Sequence, residues 1–493
     1  MPAPAPLAPP APGTQLLVDG RLREATGARR FENVDPATEA VLGTCADATR
    51  EDMEDAIAAA RRAFDETAWS TDAELRKRCL GQLRDALAEE RENLRSILVA
   101  EGGIPVALTQ WYQLDPVIED LLYWRDRIDD FPLETELPTK PVMGRPTRRT
   151  LRREPYGVVG AITPWNVPLH LIVVKLGPAL ATGNTVVLKP PPDTPWTAAT
   201  FARLVAEKTD IPPGVVNVVT SSDHGVGEQL VADPRVDLVS FTGSTATGKR
   251  IVQVGASNVK RLFLELGGKS AHIVLDDVDF GEIAGSFTAG CTHAGQGCAN
   301  LTRILLPRSR YAEGLEAVVK AVEATPYGDP RDPANVMGPV IRRSQHERIL
   351  GIIESGRREA RLVTGGRVPD GFERGYWVEP TVFADVDNAS ALAQDEIFGP
   401  VLCVIPYDGD DDAVRIANDS RFGLSGAVTS RDVERARAVG RRIRTGTMSI
   451  NGAAYFSVDA PFGGYRESGI GRENGSMGFE EYLETKLVAS PAD

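Results

Sequence analysis

From residue 156 onward the chain alternates short Val- and Ile-rich runs with helical segments, and this alternation limits the fold more than any other feature. GVVGAIT, NTVVLK, GVVNVVT and VDLVSF are separated by LHLIVVKLGPALAT, TAATFARLVAEKT and GVGEQLVA. Strands that are apolar without interruption are buried on both faces, which calls for a parallel sheet with helices packed on each side. The pattern resumes past residue 265 with AHIVLDD, RILLP, VLCVIPY and GAVTS, predicting a second α/β domain. Sheets of this kind bind ligands at the carboxyl ends of their strands. No internal repeat of fixed period is present.

Ahead of this region, LLVDGRLREA reads as a hairpin turning at Asp19 and Gly20, and Thr49 and Asp52 stand at capping-box spacing before a helix with apolar positions Met53, Ile57, Ala60 and Phe64. A second helix is predicted from about Asp72 and a third through DPVIEDLLYWRDRI. The proline-rich passage FPLETELPTKPVMGRPTRRTLRREP is long for a connection and reads as an arm that pairs elsewhere; its basic part, residues 144–155, reads as a solvated edge strand. MPAPAPLAPPAPG has no basic stretch and too many prolines for a helix, so it reads as a flexible tail and not a signal peptide.

Composition excludes several function classes. A net charge of -14 over 493 residues argues against nucleic-acid binding, which needs a basic surface. No run reaches the roughly 18 apolar residues of a membrane span. The five cysteines are odd in number and lack CxxC spacing, and HExxH is absent, so no disulfide framework or metal site is expected. A soluble cytoplasmic protein follows.

Two stretches carry candidate chemistry. VDLVSF runs into TGSTATGKRIVQV, where Gly243 to Lys249 satisfies GxxxxGK but Arg250 stands where a phosphate-binding loop needs Ser or Thr for magnesium. What remains is a glycine turn, Gly243 to Gly248, that offers amides to an anion at a helix N-terminus, against the alternative of a plain tight turn. The second stretch is GQGCAN, residues 295–300. Cys45, Cys79 and Cys403 sit in apolar or helical surroundings that suit buried thiols. Cys298 has glycines nearby and no apolar periodicity around it, so it reads as a reactive group.

With GQGC, the segments ITPWNVP, LELGGKS, QDEIFGPV and APFGGYRESGIGRENG resemble the aldehyde dehydrogenase family, in the family's order and near its spacing, over nearly the whole chain after the tail. The resemblance implies a Rossmann-type cofactor domain, a second α/β catalytic domain and a small β oligomerisation arm. It places the cofactor domain at 1–132 and 154–264, the catalytic domain at 265–465, the arm at 133–153 and 483–493, and a return segment at 466–482. It implies oxidation of an aldehyde to the acid with NAD(P)+ by way of a cysteine thiohemiacetal and thioester. Cys298 would be the nucleophile, Asn166 with the cysteine amide the oxyanion donors, and Glu265 the general base. Lys175 and Glu473 match a proton path, against the alternative of a surface ion pair or helix-end charge.

By the same resemblance Ile162, Thr163, Pro164, Trp165, Lys189, Gly243, Ser244, Gly248, Gly267, Glu396 and Phe398 bind the cofactor. Pro192 replaces a glutamate that NAD-specific members place three residues after the lysine, so NAD is expected with NADP admitted, and Asp193 is a partial stand-in. Leu171, Val174, Trp111, Tyr455 and Phe462 would line the substrate tunnel. With no arginine at Leu171 or Val174, an apolar or bulky aldehyde is expected. A dimer or tetramer exchanging strands through the arm is implied. The alternatives are a CoA-acylating dehydrogenase of the same fold, which generally lacks the glutamate seen as Glu265; a cysteine hydrolase using His293; and a non-catalytic binding module.

Overall fold

Two sheets organise the chain in the computed structural model, which describes residues 7–492. The first has eight strands in the spatial order Gly469–Ile470, Arg261–Glu265, Leu238–Thr242, Val158–Ile162, Thr185–Lys189, Val216–Val218, Leu16–Val18 and Arg21–Arg23. The five inner strands run parallel, and the terminal additions on both edges are antiparallel. Val158–Ile162 is central: the chain builds outward to one side through Thr185–Lys189, then returns to the other through Leu238–Thr242. That reversal opens a crevice at the carboxyl ends of the two strands, where ligands of such sheets bind.

The second sheet has seven strands, centred on Leu301–Pro307 and Ser270–Val274, with Val401–Tyr407 and Gly426–Thr429 parallel beside them. The Val- and Ile-rich runs of the sequence are these inner strands, and their residues are almost all buried. The helix Pro168–Ala181 shows the same logic. It is apolar around its circumference and all of its residues are buried, as a helix without a polar face must be.

The hairpin at Asp19 forms, and Thr49 and Asp52 make a reciprocal capping box on the helix Arg50–Glu66. Asp72 caps the helix Ala73–Glu89. A separate helix, Arg91–Gly102, intervenes before Asp115–Asp130 and was not predicted, because neither proline nor glycine marks the break at Glu90. The tail expectation fails in part. Residues 1–6 lie outside the described residues, but Ala11 donates to Asn93 at 2.8 Å and buried Gly13 to Thr200 at 2.9 Å, so this end is tied down.

The basic stretch is not an edge strand. Arg145–Pro155 is the middle of a three-stranded antiparallel sheet, between Glu134–Val142 and Leu483–Pro491. Alternate residues of a central strand in a thin sheet still face water, so a middle position tolerates the arginines that suggested an edge. No helix among the described residues is long and apolar enough to cross a membrane.

Candidate active site

Each strand end along the crevice delivers one element of the site. Val158–Ile162 continues into Thr163, Pro164, Trp165 and Asn166, and the buried Thr163 hydroxyl has no protein partner. Thr185–Lys189 ends in Lys189, whose ammonium donates to the Ser221 carbonyl at 3.0 Å. Burial pulls its pKa down to about 8, against the nearby Asp193, Asp223 and Asp47. Leu238–Thr242 leads through Gly243 to Ser244, which caps the helix Thr245–Gly255 by accepting from the Thr247 amide.

The glycines of this turn do a different job from the one expected. The Gly243 amide donates to the Glu265 carbonyl and the Gly248 amide to Ser244 within the helix, so neither is free for an anion. A Cβ at Gly243 would fall 2.5 Å from the Phe241 ring, and one at Gly248 2.5 Å from Leu266. Both are glycines for packing. The helix Thr245–Gly255 begins at the exposed Ser244, where unpaired amides are of the kind that suit an anion.

Arg261–Glu265 ends in Glu265, and the glycines after it admit the two loops of the second sheet. A Cβ on Gly267 would sit 2.3 Å from a Glu396 carboxylate oxygen, and one on Gly268 2.5 Å from the Cys298 carbonyl. The Gly268 amide donates to Glu396 at 3.0 Å, and burial raises that carboxyl to about 7. Phe398 stands edge-on to Trp165 with centroids 5.4 Å apart, its backbone in the left-handed region at φ 53°. Strain of this kind, about 1–3 kcal/mol, persists where surroundings over-determine a residue, often at functional sites.

The cysteine loop is fixed by Gln296, which composition and motif reading passed over. Its side chain bonds the carbonyls of His293 and Pro339 and the amide of Ile341, while its carbonyl accepts from Asn166 Nδ2 at 2.9 Å. Asn166 therefore does not bond its own turn; one amide hydrogen joins it to the loop of Cys298. His293 Nε2 donates to the Asn166 carbonyl at 2.9 Å, and burial drops its pKa to about 4. The ring ties the Asn166 turn to the cysteine loop, and its Nδ1 is buried without a partner among the described residues.

Glu265 is 3% exposed, and neither carboxylate oxygen has a hydrogen-bond partner among the described residues. Burial and then the charge of Glu473 push its pKa well above the usual carboxylate range, opposed by Lys175 and Arg472. Burial, followed by Glu396, Glu265 and Glu473, pushes the Cys298 thiol up to about 12. Lys175 and Glu473 form no surface pair. Lys175 Nζ lies 2.9 Å from Glu473 Oε1 and 3.1 Å from Ser240 Oγ, and both charged side chains are buried.

The tunnel candidates separate by depth. Leu171, Val174 and Phe462 are buried, Tyr455 bonds Ser425 at 2.7 Å, and Trp111 is 62% exposed on the turn Thr109–Gln113. Glu473 and Phe462 exchange backbone hydrogen bonds of 2.7 Å, which ties the buried ion pair to this phenylalanine. Tyr112, His170 and Phe456, which the sequence reading passed over, adjoin this group: His170 lies against the Tyr112 carbonyl and meets Phe456, which meets Phe462.

The residues fit a nucleotide cofactor. A cleft of about 520 Å³ runs from Thr245 past Arg348 and Arg421 to Glu396 and is lined also by Glu359 and Asp395; Arg348 donates to the Glu396 and Ile397 carbonyls and Arg421 to Asp395. Asp193, the proposed stand-in for glutamate, is engaged by Arg342 at 2.7 Å. No cluster of His, Cys, Asp and Glu able to hold a metal occurs among the described residues.

A sequence profile described as the aldehyde dehydrogenase family matches residues 22–488. A 3-succinoylsemialdehyde-pyridine dehydrogenase of a Pseudomonas species is 41% identical over 479 residues, covering 96% of this chain and 98% of the relative. A geranial dehydrogenase of Castellaniella defragrans is 40% identical, covering 96% and 98%. Among solved structures, a cysteine-to-alanine mutant of aldehyde dehydrogenase C from Pseudomonas syringae, complexed with NAD+ and octanal, superposes with a TM-score of 0.92 at 38% identity, covering 98% of each chain. A Mycobacterium tuberculosis aldehyde dehydrogenase complexed with NAD+ gives 0.93 at 41%, covering 98% and 99%. The chain belongs to the aldehyde dehydrogenase family.

Proposed function

We propose that this NAD(P)-dependent enzyme oxidises an apolar or bulky aldehyde to its carboxylic acid, with Cys298 as nucleophile and Glu265 as the base of hydrolysis. The observation that carries the reading is the buried Glu265 carboxyl, without a hydrogen-bond partner yet close enough to the thiol to raise its pKa. The thiol gives its proton to water before attack, and Glu265 acts on the water that later opens the thioester.

Cys298 Sγ then bonds to the carbonyl carbon, and the oxygen gains negative charge facing the cysteine amide and the second N–H of Asn166. Such a donor is worth about 3 kcal/mol to a transition state. Bound NAD(P)+ supplies the hydride acceptor. Lys189, Ser244, Glu396, and the Trp165 and Phe398 pair would hold it. Water opens the thioester as Glu265 takes one of its protons, and Glu473 with Lys175 offers that proton a way out. The presence of Glu265 favours water over CoA as acyl acceptor.

The relatives named for geranial and crystallised with octanal support an apolar aldehyde, as do Leu171 and Val174. NAD is the preferred cofactor, with NADP admitted because Pro192 cannot repel a 2′-phosphate and Arg342 neutralises Asp193. The three-stranded sheet would join subunits in a cytoplasmic dimer or tetramer.

Glu265→Gln supplies the test. With aldehyde and NAD+ it should accumulate an acyl adduct on Cys298, seen by intact mass, while steady turnover falls at least about 100-fold. Cys298→Ala should form neither adduct nor NADH. A slowed Glu265→Gln enzyme without adduct would remove the base assignment.

A further inference from the structure

We infer that His170 gives the substrate tunnel a hydrogen-bond acceptor, so that aldehydes carrying a hydroxyl or aromatic N–H away from the carbonyl are selected over apolar ones of equal size. The inference rests on the function proposed above and concerns the substrate class of that same tunnel.

His170 is the one polar side chain on the first turn of the helix Pro168–Ala181, which is apolar elsewhere until Lys175. It is 5% exposed. Its Nδ1 lies 2.8 Å from the Tyr112 carbonyl oxygen. A carbonyl only accepts, so Nδ1 carries the hydrogen, and in the neutral ring Nε2 is left with a lone pair. Burial lowers the pKa of the ring, which keeps it in this form. The tautomer is thereby set by the main chain.

Nε2 has no partner among the described residues, yet it is not one of the polar atoms sealed from solvent. The surroundings show which space it faces. The ring meets Phe456 edge to face with centroids 5.1 Å apart, and Phe456 meets Phe462 at 5.1 Å. Phe456 is 44% exposed and Phe462 and His170 5% each, so the two lie beneath one surface ring. A buried acceptor facing an apolar passage is poorly paired with an alkyl chain and well paired with a donor. A site that holds such a group discriminates strongly against ligands that leave it unpaired.

Matched aldehydes test this. Phenylacetaldehyde with a hydroxyl at the meta or para position is compared with the methyl-substituted form of the same size, and terminally hydroxylated octanal with nonanal. For at least one pair the wild-type enzyme should favour the hydroxyl by about tenfold in kcat/KM, mostly through KM, since the contact is made equally before and during reaction. His170→Leu should bring that ratio within about twofold, and His170→Gln, whose side-chain oxygen can take the place of Nε2, should restore part of it. Equal efficiencies in every wild-type pair would overturn the inference, as would a His170→Leu enzyme that keeps the preference. If His170→Leu does not fold, the wild-type ratios and His170→Gln decide. Oxidation of the methyl forms without any hydroxyl preference rejects the role of His170 alone, whereas absence of NADH from every aldehyde rejects the oxidation chemistry as well.

Discussion

The buried ion pair of Lys175 and Glu473 and the exposed aromatic residues Trp111 and Phe456 are held in opposite ways. Lys175 and Glu473 are buried and meet Ser240 and Thr242, and Ser240 in turn bonds the Tyr482 hydroxyl at 3.1 Å. Trp111 and Phe456 are 62% and 44% exposed and make few directed contacts. The first region must keep charge in place where water is scarce, so every polar atom needs a partner. The second has only to present apolar surface of suitable width, and side-chain identity there is free to change with the substrate.

The sharpest way to break this contrast is to remove the cation. Lys175→Met should leave Glu473 buried and unpaired, at a cost of about 3–5 kcal/mol, read as a fall in the denaturant midpoint. Converting both partners, Lys175→Met with Glu473→Leu, should recover most of the midpoint while deacylation stays slow. A double variant with normal turnover would show that the pair serves stability alone.

A smaller effect separates the carboxylates. Glu396 is the first of the charges that raise Cys298, and its own carboxyl stands near 7. Below that pH it is mostly neutral and should matter little; above it, its charge opposes thiolate formation. Glu396→Gln should therefore speed alkylation of Cys298 by iodoacetamide up to about tenfold above neutrality, with the difference fading as pH falls through 7. An equal gain at all pH values would place the effect in access and not in charge.

The same contrast governs what the sequence disclosed. The inner strands were legible because burial on both faces leaves no room for polar residues, and Thr49 and Asp52 because a capping box is a local device. Glu265 and Asn166 were singled out only by the resemblance of LELGGKS and ITPWNVP to one family, whereas Cys298 stood out from its own neighbours as well. Gly267 and Gly268 were visible as a motif, but their reason, the approach of Glu396 and of the Cys298 carbonyl, comes from the second sheet. Gln296 was not legible, since its partners at 293, 339 and 341 meet only after folding. Nor was His170: on a helix apolar all round, one histidine reads as core, and its tautomer depends on a carbonyl 58 residues away. The basic stretch by itself suggested an edge strand for Arg145–Pro155; only the resemblance joined it to the segment that supplies its partner Leu483–Pro491.

The smallest predicted effects lie in the mouth, and they sharpen the contrast by depth. Phe462 is buried against Phe456 and bridged to Glu473 through the backbone. Phe462→Leu keeps an apolar side chain but removes the flat wall, so KM for octanal should rise about fivefold, with a modest loss of stability. Trp111→Leu changes a residue that already faces water, where substitution moves stability by about 0.5 kcal/mol or less. Its KM should stay within about twofold for octanal. If Trp111→Leu instead costs more than Phe462→Leu, selection occurs at entry, and the mouth is as closely built as the ion pair behind it.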